Sequence, residues 1–245
     1  MKKRLAVALL LSTTLAGCSY DAPGQAAGRS LAQPAGTGTS ASAPSSGGTA
    51  ACTYTSIPAT SAVKDVGKPP ARARAAGKAV MTITTNVGVI EVALDPAGAP
   101  CTVASFDYLA GKHFFDNTPC HRLTAAETLA VLQCGDPSGT GTGGPAYQFA
   151  EENLASVGPS TGGYKRGLVA MARTQDPGTN GSQFFMMIKD GQLNPDYTPF
   201  GTITRGLEVL DQIAAAGITP SGINGDADGA PKNQVKLQRV TVAYS

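Results

Sequence analysis

Apolar and polar residues alternate with a period of two in the region that follows residue 79, and this alternation predicts β-strands. Residues 81–84 and 90–94 both show it, and the turn sequence Asn-Val-Gly at 86–88 lies between them. A period of two is typical of strands that have one buried face and one solvent-facing face. We therefore predict a β-hairpin at the start of this region.

A second hairpin is predicted over residues 168–188. Apolar runs at 168–172 and 184–188 flank a polar loop that contains the turn sequences Asp-Pro-Gly and Asn-Gly. A last strand is predicted over 235–244. Its apolar phase shifts near Gln238, and a shift of this kind predicts a β-bulge or a crossing of the strand at that point.

Two segments show the 3.6-residue period of amphipathic helices instead. The first opens at Pro100 and ends at Gly111, because proline suits the first helical position and glycine the end. The second is predicted over Leu207–Ala216, with Gly217 as the residue that caps it. Many short strands and two helices predict a mainly β fold, a closed antiparallel β-barrel capped by the two α-helices.

The N-terminus has the layout of a bacterial lipoprotein signal peptide. In residues 1–17, three basic residues precede a short apolar run, and the sequence Leu-Ala-Gly-Cys ends at Cys18. This tetrapeptide resembles a lipobox, which implies cleavage before Cys18 and lipidation of its sulfur. The protein is then expected to be extracytoplasmic and anchored to the cell membrane by lipid. A plain secretory peptide is the alternative.

Three further segments follow the signal peptide. Residues 18–51 are rich in Gly, Ser, Pro and Ala and lack the apolar side chains that offset chain entropy, which predicts a disordered tether. A flexible coil of this length spans about 30 Å. Residues 52–79 show no periodicity and are predicted to be a linker, and residues 80–245 are predicted to form the folded domain.

The charge balance and the cysteine content limit the classes of function that the sequence supports. The formal charge of +2 includes three basic residues of the signal peptide, and without them 16 basic residues face 17 acidic ones; this balance does not favour a nucleic-acid partner. Beyond Cys18 the chain has four cysteines, Cys52, Cys101, Cys120 and Cys134. Two disulfides are expected in an oxidising compartment, and three pairings are open. The chain has two histidines and no Cys-x-x-Cys sequence, so we predict no metal site.

Four short motifs resemble those of the cyclophilin family of peptidyl-prolyl isomerases. They are Cys-His-Arg-Leu at 120–123, Val-Leu-Gln-Cys-Gly-Asp at 131–136, Asn-Gly-Ser-Gln-Phe-Phe at 180–185 and Pro-Phe-Gly at 199–201. They occur in the family's order and at nearly its spacing, and the resemblance covers residues 80–245. It implies a closed barrel of eight strands and an isomerase that uses no cofactor.

The resemblance also implies a role for each residue of the site. Arg122 would donate a hydrogen bond to the prolyl nitrogen in the twisted transition state, Gln133 would steer the arginine and the substrate carbonyl, and Phe185 would form the floor of the proline pocket. The resemblance implies that Val131, Leu193 and Tyr197 form the walls around this floor. It also implies that the substrate runs past Ala172 along the rim and pairs with the backbone of Arg173.

The sequence departs from the family at three places. Ala130 and Val131 stand where the family usually has phenylalanine and methionine, and the loop at 124–129 is longer. Gln192 and Tyr197 stand where many eukaryotic members have tryptophan and histidine. The first departure thins the apolar wall of the pocket, and the loss of tryptophan weakens the expectation of tight cyclosporin binding.

We therefore predict a monomeric isomerase that acts on Pro-containing exported polypeptides at the membrane surface. The alternative is a chaperone-like binding module of the same fold, with slow catalysis or none. Residues 226–229, Asp-Ala-Asp-Gly, resemble half of a calcium loop. Their spacing is incomplete, so we interpret them as a solvated turn.

Overall fold

The structure, a computed structural model, describes residues 48–161, 163–221 and 225–245. The predicted signal peptide at 1–17, Cys18 and most of the tether at 18–51 lie outside the described residues. The described part of the chain is mainly β, with two α-helices. The helices are α1 (Pro100–Gly111) and α2 (Leu207–Ala216).

The strands are short, and most have two to four residues. They are β1 (Thr49–Ala51), β2 (Thr55–Ser56), β3 (Val63–Lys64), β4 (Arg72–Arg74), β5 (Ala79–Thr85), β6 (Val89–Leu94), β7 (Thr118–Pro119), β8 (Arg122–Thr124), β9 (Val131–Cys134), β10 (Gly144–Pro145), β11 (Tyr147–Gln148), β12 (Leu168–Met171), β13 (Phe184–Met187), β14 (Pro199–Arg205), β15 (Ile218–Pro220), β16 (Asp228–Pro231) and β17 (Lys236–Tyr244).

The main sheet has eleven strands in the order β15-β16-β8-β9-β13-β12-β14-β6-β5-β17-β7. Only two residues separate β7 from β8 along the chain, a step of at most about 11 Å. In a flat sheet these two strands would lie eight spacings apart, roughly 38 Å. The sheet must therefore curl round on itself.

The predicted closed barrel of eight strands is not confirmed. Among the described residues, no ladder joins the edge strands β15 and β7. The additional strands are short ones, among them the hairpin β15–β16 at one edge and β7 at the other. Strands β7 and β15, of two and three residues, are too short to display a hydrophobic period, and the four residues of β16, Asp-Gly-Ala-Pro, do not show one. Sequence patterns therefore could not reveal these strands.

Several local predictions are confirmed. Both helices have the predicted bounds, and Gly217 follows α2 with a positive φ of 92°. Strands β12 and β13 pair antiparallel as the predicted second hairpin. Strand β17 has an irregular register between Leu237 and Arg239, where the bulge was predicted.

Residues 52–79 differ from the predicted linker, because they pack on the domain. Strand β2 pairs with β11 and β3 with β10, and Cys52, Tyr54 and Ala73 are buried. Of the three possible cysteine pairings, the structure has Cys52–Cys101, which ties this segment to α1, and Cys120–Cys134. No helix in the described ranges is long and apolar enough to cross a membrane.

Candidate active site

One cavity of about 140 Å³ brings together all the predicted catalytic and substrate-binding residues. Its lining is contributed by strands β8, β9 and β13, by the residues that follow β12 and by the segment that leads into β14. The lining residues are Arg122, Leu129, Val131, Gln133, Ala172, Arg173, Phe185, Leu193 and Tyr197. Leu129, in the long loop at 124–129, is an addition to the predicted set.

Strand register explains why the three predicted catalytic residues meet. Arg122 lies directly opposite Gln133 in the β8–β9 pair, and Gln133 lies directly opposite Phe185 in the β9–β13 pair. Residues directly opposite each other in neighbouring antiparallel strands point to the same face, with Cβ atoms about 5 Å apart. Arg122, Gln133 and Phe185 therefore form a row across three strands.

Aromatic packing makes the floor of the cavity rigid. The rings of Phe185 and Tyr197 meet edge to face with their centroids 5.6 Å apart. Tyr164, which is fully buried, donates its hydroxyl hydrogen to the carbonyl oxygen of Tyr197 at 2.8 Å and accepts from the amide of Tyr197 at 3.0 Å. These contacts hold the Tyr197 backbone beside the floor. Tyr164 lies in none of the four motifs, and the sequence analysis therefore did not identify it.

The guanidinium of Arg122 is held from two sides. Its Nε and Nη2 donate to the two carboxylate oxygens of Asp228, at 2.9 and 2.7 Å, and its Nη1 donates to Oε1 of Gln133 at 3.2 Å. The hydrogen bond with Asp228 is the main cause that raises the pKa of Arg122, so the arginine stays charged. The interpretation of residues 226–229 as a solvated turn is therefore wrong for Asp228, which is only 13% exposed.

The amide of Gln133 is also fixed, through Gln183. Gln133 donates to Oε1 of Gln183 at 2.9 Å, and Gln183 donates to the carbonyl oxygens of Gly141 and Gly143 at 2.9 and 3.0 Å. This chain of hydrogen bonds orients the Oε1 of Gln133 toward Arg122. Gln183 lies within the Asn-Gly-Ser-Gln-Phe-Phe motif, but the sequence analysis assigned it no role.

The side chain of Arg173 is committed to contacts within the protein. Its Nε donates to the carbonyl oxygen of Asp196 at 2.7 Å, and its Nη1 donates to the carbonyl oxygens of Thr174 and Gln175 at 2.9 Å. It also lies 3.5 Å from the carboxylate of Glu151. This is compatible with the predicted role of Arg173, which concerns its backbone.

A second cavity of about 270 Å³ continues from the first. The two share Gln133, Ala172 and Arg173 in their linings. Ile57 and Val63 also line the larger cavity. Both belong to the segment that was predicted to be a linker, so this segment contributes a wall beside the site.

His121 precedes Arg122 and is expected to make the stability of the fold depend on pH. Burial lowers the pKa of His121, and the charge of Arg122 lowers it further, while Asp136 opposes both effects. Its buried Nδ1 has no hydrogen-bond partner among the described residues. Below its ordinary pKa of about 6.5, the unfolded chain binds a proton that the folded chain resists. The free energy of unfolding therefore falls as the pH drops below that value.

The test is a set of urea-unfolding curves between pH 7.5 and pH 5, for the wild type and His121→Gln. The variant should lose part of the decrease that the wild type shows over this range. The same decrease in both proteins would contradict the assignment to His121. His113→Gln is a matched control, because His113 is exposed.

The described part of the chain contains no group of three or more His, Cys, Asp or Glu side chains that could hold a metal ion. The groups that converge on the cavity are instead a charged arginine, a glutamine amide and an aromatic floor. This arrangement can bind a small apolar ring and donate hydrogen bonds beside it.

Comparison with known proteins places the chain in a family. A family model described as cyclophilin type peptidyl-prolyl cis-trans isomerase/CLD matches residues 80–242. The chain is 47% identical over 165 residues to a probable peptidyl-prolyl cis-trans isomerase B of Mycobacterium leprae, covering 64% of this chain and 54% of the relative. It is 38% identical over 179 residues to peptidyl-prolyl cis-trans isomerase B of Streptomyces anulatus, covering 66% and 94%.

A solved structure supports the same conclusion. The cyclophilin type peptidyl-prolyl cis-trans isomerase of Cryptosporidium parvum is 26% identical, with a TM-score of 0.57, and the match covers 69% of this chain and 99% of that one. The chain spans about half the length of the mycobacterial relatives that it matches. Because the family model covers well over half of the chain, this protein belongs to the cyclophilin-type peptidyl-prolyl cis-trans isomerase family.

Proposed function

We propose that this protein is a peptidyl-prolyl cis-trans isomerase that assists the folding of exported, Pro-containing polypeptides. The observation that carries the proposal is the row formed by Arg122, Gln133 and Phe185 across three paired strands, at one cavity. Membership of the cyclophilin-type family supports the same activity. The protein acts as a monomer and without a cofactor.

The reaction requires binding of a twisted bond and no covalent step. Resonance makes the X–Pro bond partly double, and rotation about such bonds takes tens of seconds. In the planar ground state the prolyl nitrogen shares its lone pair with the carbonyl and accepts no hydrogen bond. As the bond twists, the nitrogen becomes an acceptor. A fixed donor at that position binds the transition state more tightly than either planar isomer, and this lowers the barrier.

The cavity supplies such a donor beside a place for the proline ring. Phe185, which is 5% exposed, offers an apolar floor for the ring, with Val131, Leu193 and Tyr197 around it. Arg122 is 35% exposed, so its guanidinium can reach a bound peptide. Arginine suits the role because it is always charged and carries its donors in a rigid planar fork. The rest of the substrate chain would follow the second cavity, past Ala172 and Arg173.

A refolding experiment tests the proposal. The substrate is a small protein whose slow refolding phase is limited by X–Pro isomerisation, and the purified protein is added in increasing amounts. The rate of the slow phase should rise in proportion to the amount added. Binding to the refolding chain without any change in this rate would support the chaperone-like binding module and contradict the isomerase.

We propose that the protein works at the membrane surface, held there by lipid on Cys18. The sequence Leu-Ala-Gly-Cys at 15–18 supports this location. The two disulfides are compatible with it, because such bonds persist in oxidising compartments outside the cytoplasm. Cys18→Ser should abolish fatty-acid labelling and release the protein from the membrane fraction. Wild-type protein that takes up no fatty acid and appears in the medium would contradict the proposal.

A further inference from the structure

We propose that Asp228 is a positioning residue, which fixes the plane of the Arg122 guanidinium so that its remaining donors face the substrate. This inference rests on the proposed isomerase function. Asp228 accepts two hydrogen bonds from Arg122, at 2.9 Å from Nε and 2.7 Å from Nη2, through different carboxylate oxygens. A bidentate pair of this kind defines the direction of a guanidinium as well as stabilising it.

Strand pairing places Asp228 beside the arginine. Strand β16 pairs antiparallel with β8, so that Asp228 lies opposite Thr124 and Gly229 opposite Leu123. Because side chains alternate along a strand, Thr124 and Arg122 point to the same face. Asp228 is therefore the diagonal cross-strand neighbour of Arg122, within reach of its long side chain.

Gly229 keeps Asp228 in this place. It lies opposite Pro220 in the β15–β16 hairpin, and a Cβ atom at Gly229 would collide with the backbone of Thr219 and Ser221. The hairpin can therefore close tightly only with glycine at this position. The turn that looked solvated in the sequence is thus built to present a carboxylate to β8.

The number of N–H groups on the Arg122 guanidinium shows what its pairing with Asp228 achieves. A guanidinium has five N–H groups in a fixed plane. Asp228 takes one from Nε and one from Nη2, and Gln133 takes one from Nη1. Within the described ranges, two N–H groups have no partner, one on each terminal nitrogen, and their direction is set because the plane is held on both sides. A donor aligned before the substrate arrives loses no orientational freedom in the transition state.

The experiment compares Asp228→Asn with Asp226→Asn in the full chain. Asp226 is a matched control, because it is exposed and lies two residues away, in the turn that precedes β16. The readouts are kcat/KM for a short Pro-containing peptide, peptide affinity by titration, and the urea-unfolding midpoint. We expect Asp228→Asn to lower kcat/KM about 10-fold, as for the loss of one charge-assisted hydrogen bond. Peptide affinity should change less than about twofold, and Asp226→Asn should match the wild type.

A double-mutant cycle separates positioning from a purely structural role. In an Arg122→Lys background there is no fork to align, so Asp228→Asn should change kcat/KM by less than about twofold. An equal fold-change in both backgrounds would overturn the proposal, as would a lowered unfolding midpoint with unchanged kcat/KM. If Asp228→Asn fails to fold, Asp228→Glu takes its place, since it keeps the charge and displaces the carboxylate. It should then lower kcat/KM at unchanged affinity, and wild-type kcat/KM would refute the proposal.

The activity of the wild-type protein distinguishes a failure of the proposed function from a failure of the role of Asp228. An inactive wild-type protein would refute the isomerase and the role of Asp228 together. An active wild type with a fully active Asp228→Asn variant would refute the role of Asp228 alone.

Discussion

Replacing Arg122 with alanine is expected to lower the catalysis of X–Pro isomerisation by roughly 10²- to 10³-fold, equivalent to about 3–4 kcal/mol of transition-state stabilisation. The guanidinium acts on a nitrogen that accepts a hydrogen bond only when the bond is twisted. Peptide affinity should therefore change far less than the rate, because the planar isomers gain little from this donor. Arg122→Lys should restore activity only in part, since an ammonium group lacks the planar fork. The measurement is kcat/KM together with a direct binding titration.

A control variant is needed because Arg122→Ala also removes a partner of Asp228. Arg122→Ala removes the bidentate partner of a carboxylate that is 13% exposed, and removing one member of a largely buried ion pair destabilises a fold. The double variant Arg122→Ala/Asp228→Asn removes both charges, and it should be as inactive as Arg122→Ala while unfolding at a higher denaturant concentration. An Arg122→Ala protein that catalyses as well as the wild type would show that the catalytic donor lies elsewhere.

Loss of the Cys52–Cys101 disulfide is expected to destabilise the protein by about 4 kcal/mol. The bond closes a loop with a sequence separation of 49 residues, and the chain-entropy model gives a larger effect for longer loops. The bond also joins the segment at 52–79 to the N-terminal end of α1. The measurement is urea unfolding of Cys52→Ser/Cys101→Ser and of the wild type, both without reductant.

The second disulfide supplies a comparison within the same chain. Cys120–Cys134 closes a loop with a separation of only 14 residues, so the same model gives about 3 kcal/mol. Both bonds should be absent after reduction, and the thiols of the four cysteines beyond Cys18 should then be titratable. Four titratable thiols in the folded, unreduced protein would contradict the pairing. A Cys52→Ser/Cys101→Ser variant as stable as the wild type would contradict the proposed contribution of the Cys52–Cys101 disulfide to stability.

The sequence revealed elements whose signals are local. The bounds of α1 and α2 were predictable because proline, glycine and one apolar face mark a helix within ten or twelve residues. The bulge in β17 was predictable because the apolar phase changes within that strand. Strands β1–β4 were not, because strands of two or three residues are too short for a period. Strands β2 and β3 pair with the distant strands β11 and β10, β1 and β4 pair with each other, and a disulfide at Cys52 ties the segment to α1.

The residues of the site divide in the same way, into those that have a local sequence signal and those whose partners are distant in the chain. Arg122, Gln133 and Phe185 were found because short motifs contain them, and the register of three strands brings them into one row. Asp228 was missed because it lies 106 positions from Arg122 in the chain. Its neighbours in sequence look like a polar turn, and only the pairing of β16 with β8 gives the carboxylate its partner. Tyr164 was missed for the same reason, since its partner Tyr197 is 33 positions away.

The most direct test of the proposed function is the exchange between the cis and trans forms of a short Ala-Pro peptide, followed by NMR. Uncatalysed exchange takes tens of seconds or longer, so separate peaks are seen for the two forms. With catalytic amounts of the purified protein, we expect exchange cross-peaks and line broadening that scale with protein concentration. Both should nearly vanish when Arg122→Ala protein is used at the same concentration. Wild-type protein that binds the peptide and leaves the exchange rate unchanged would refute the isomerase function.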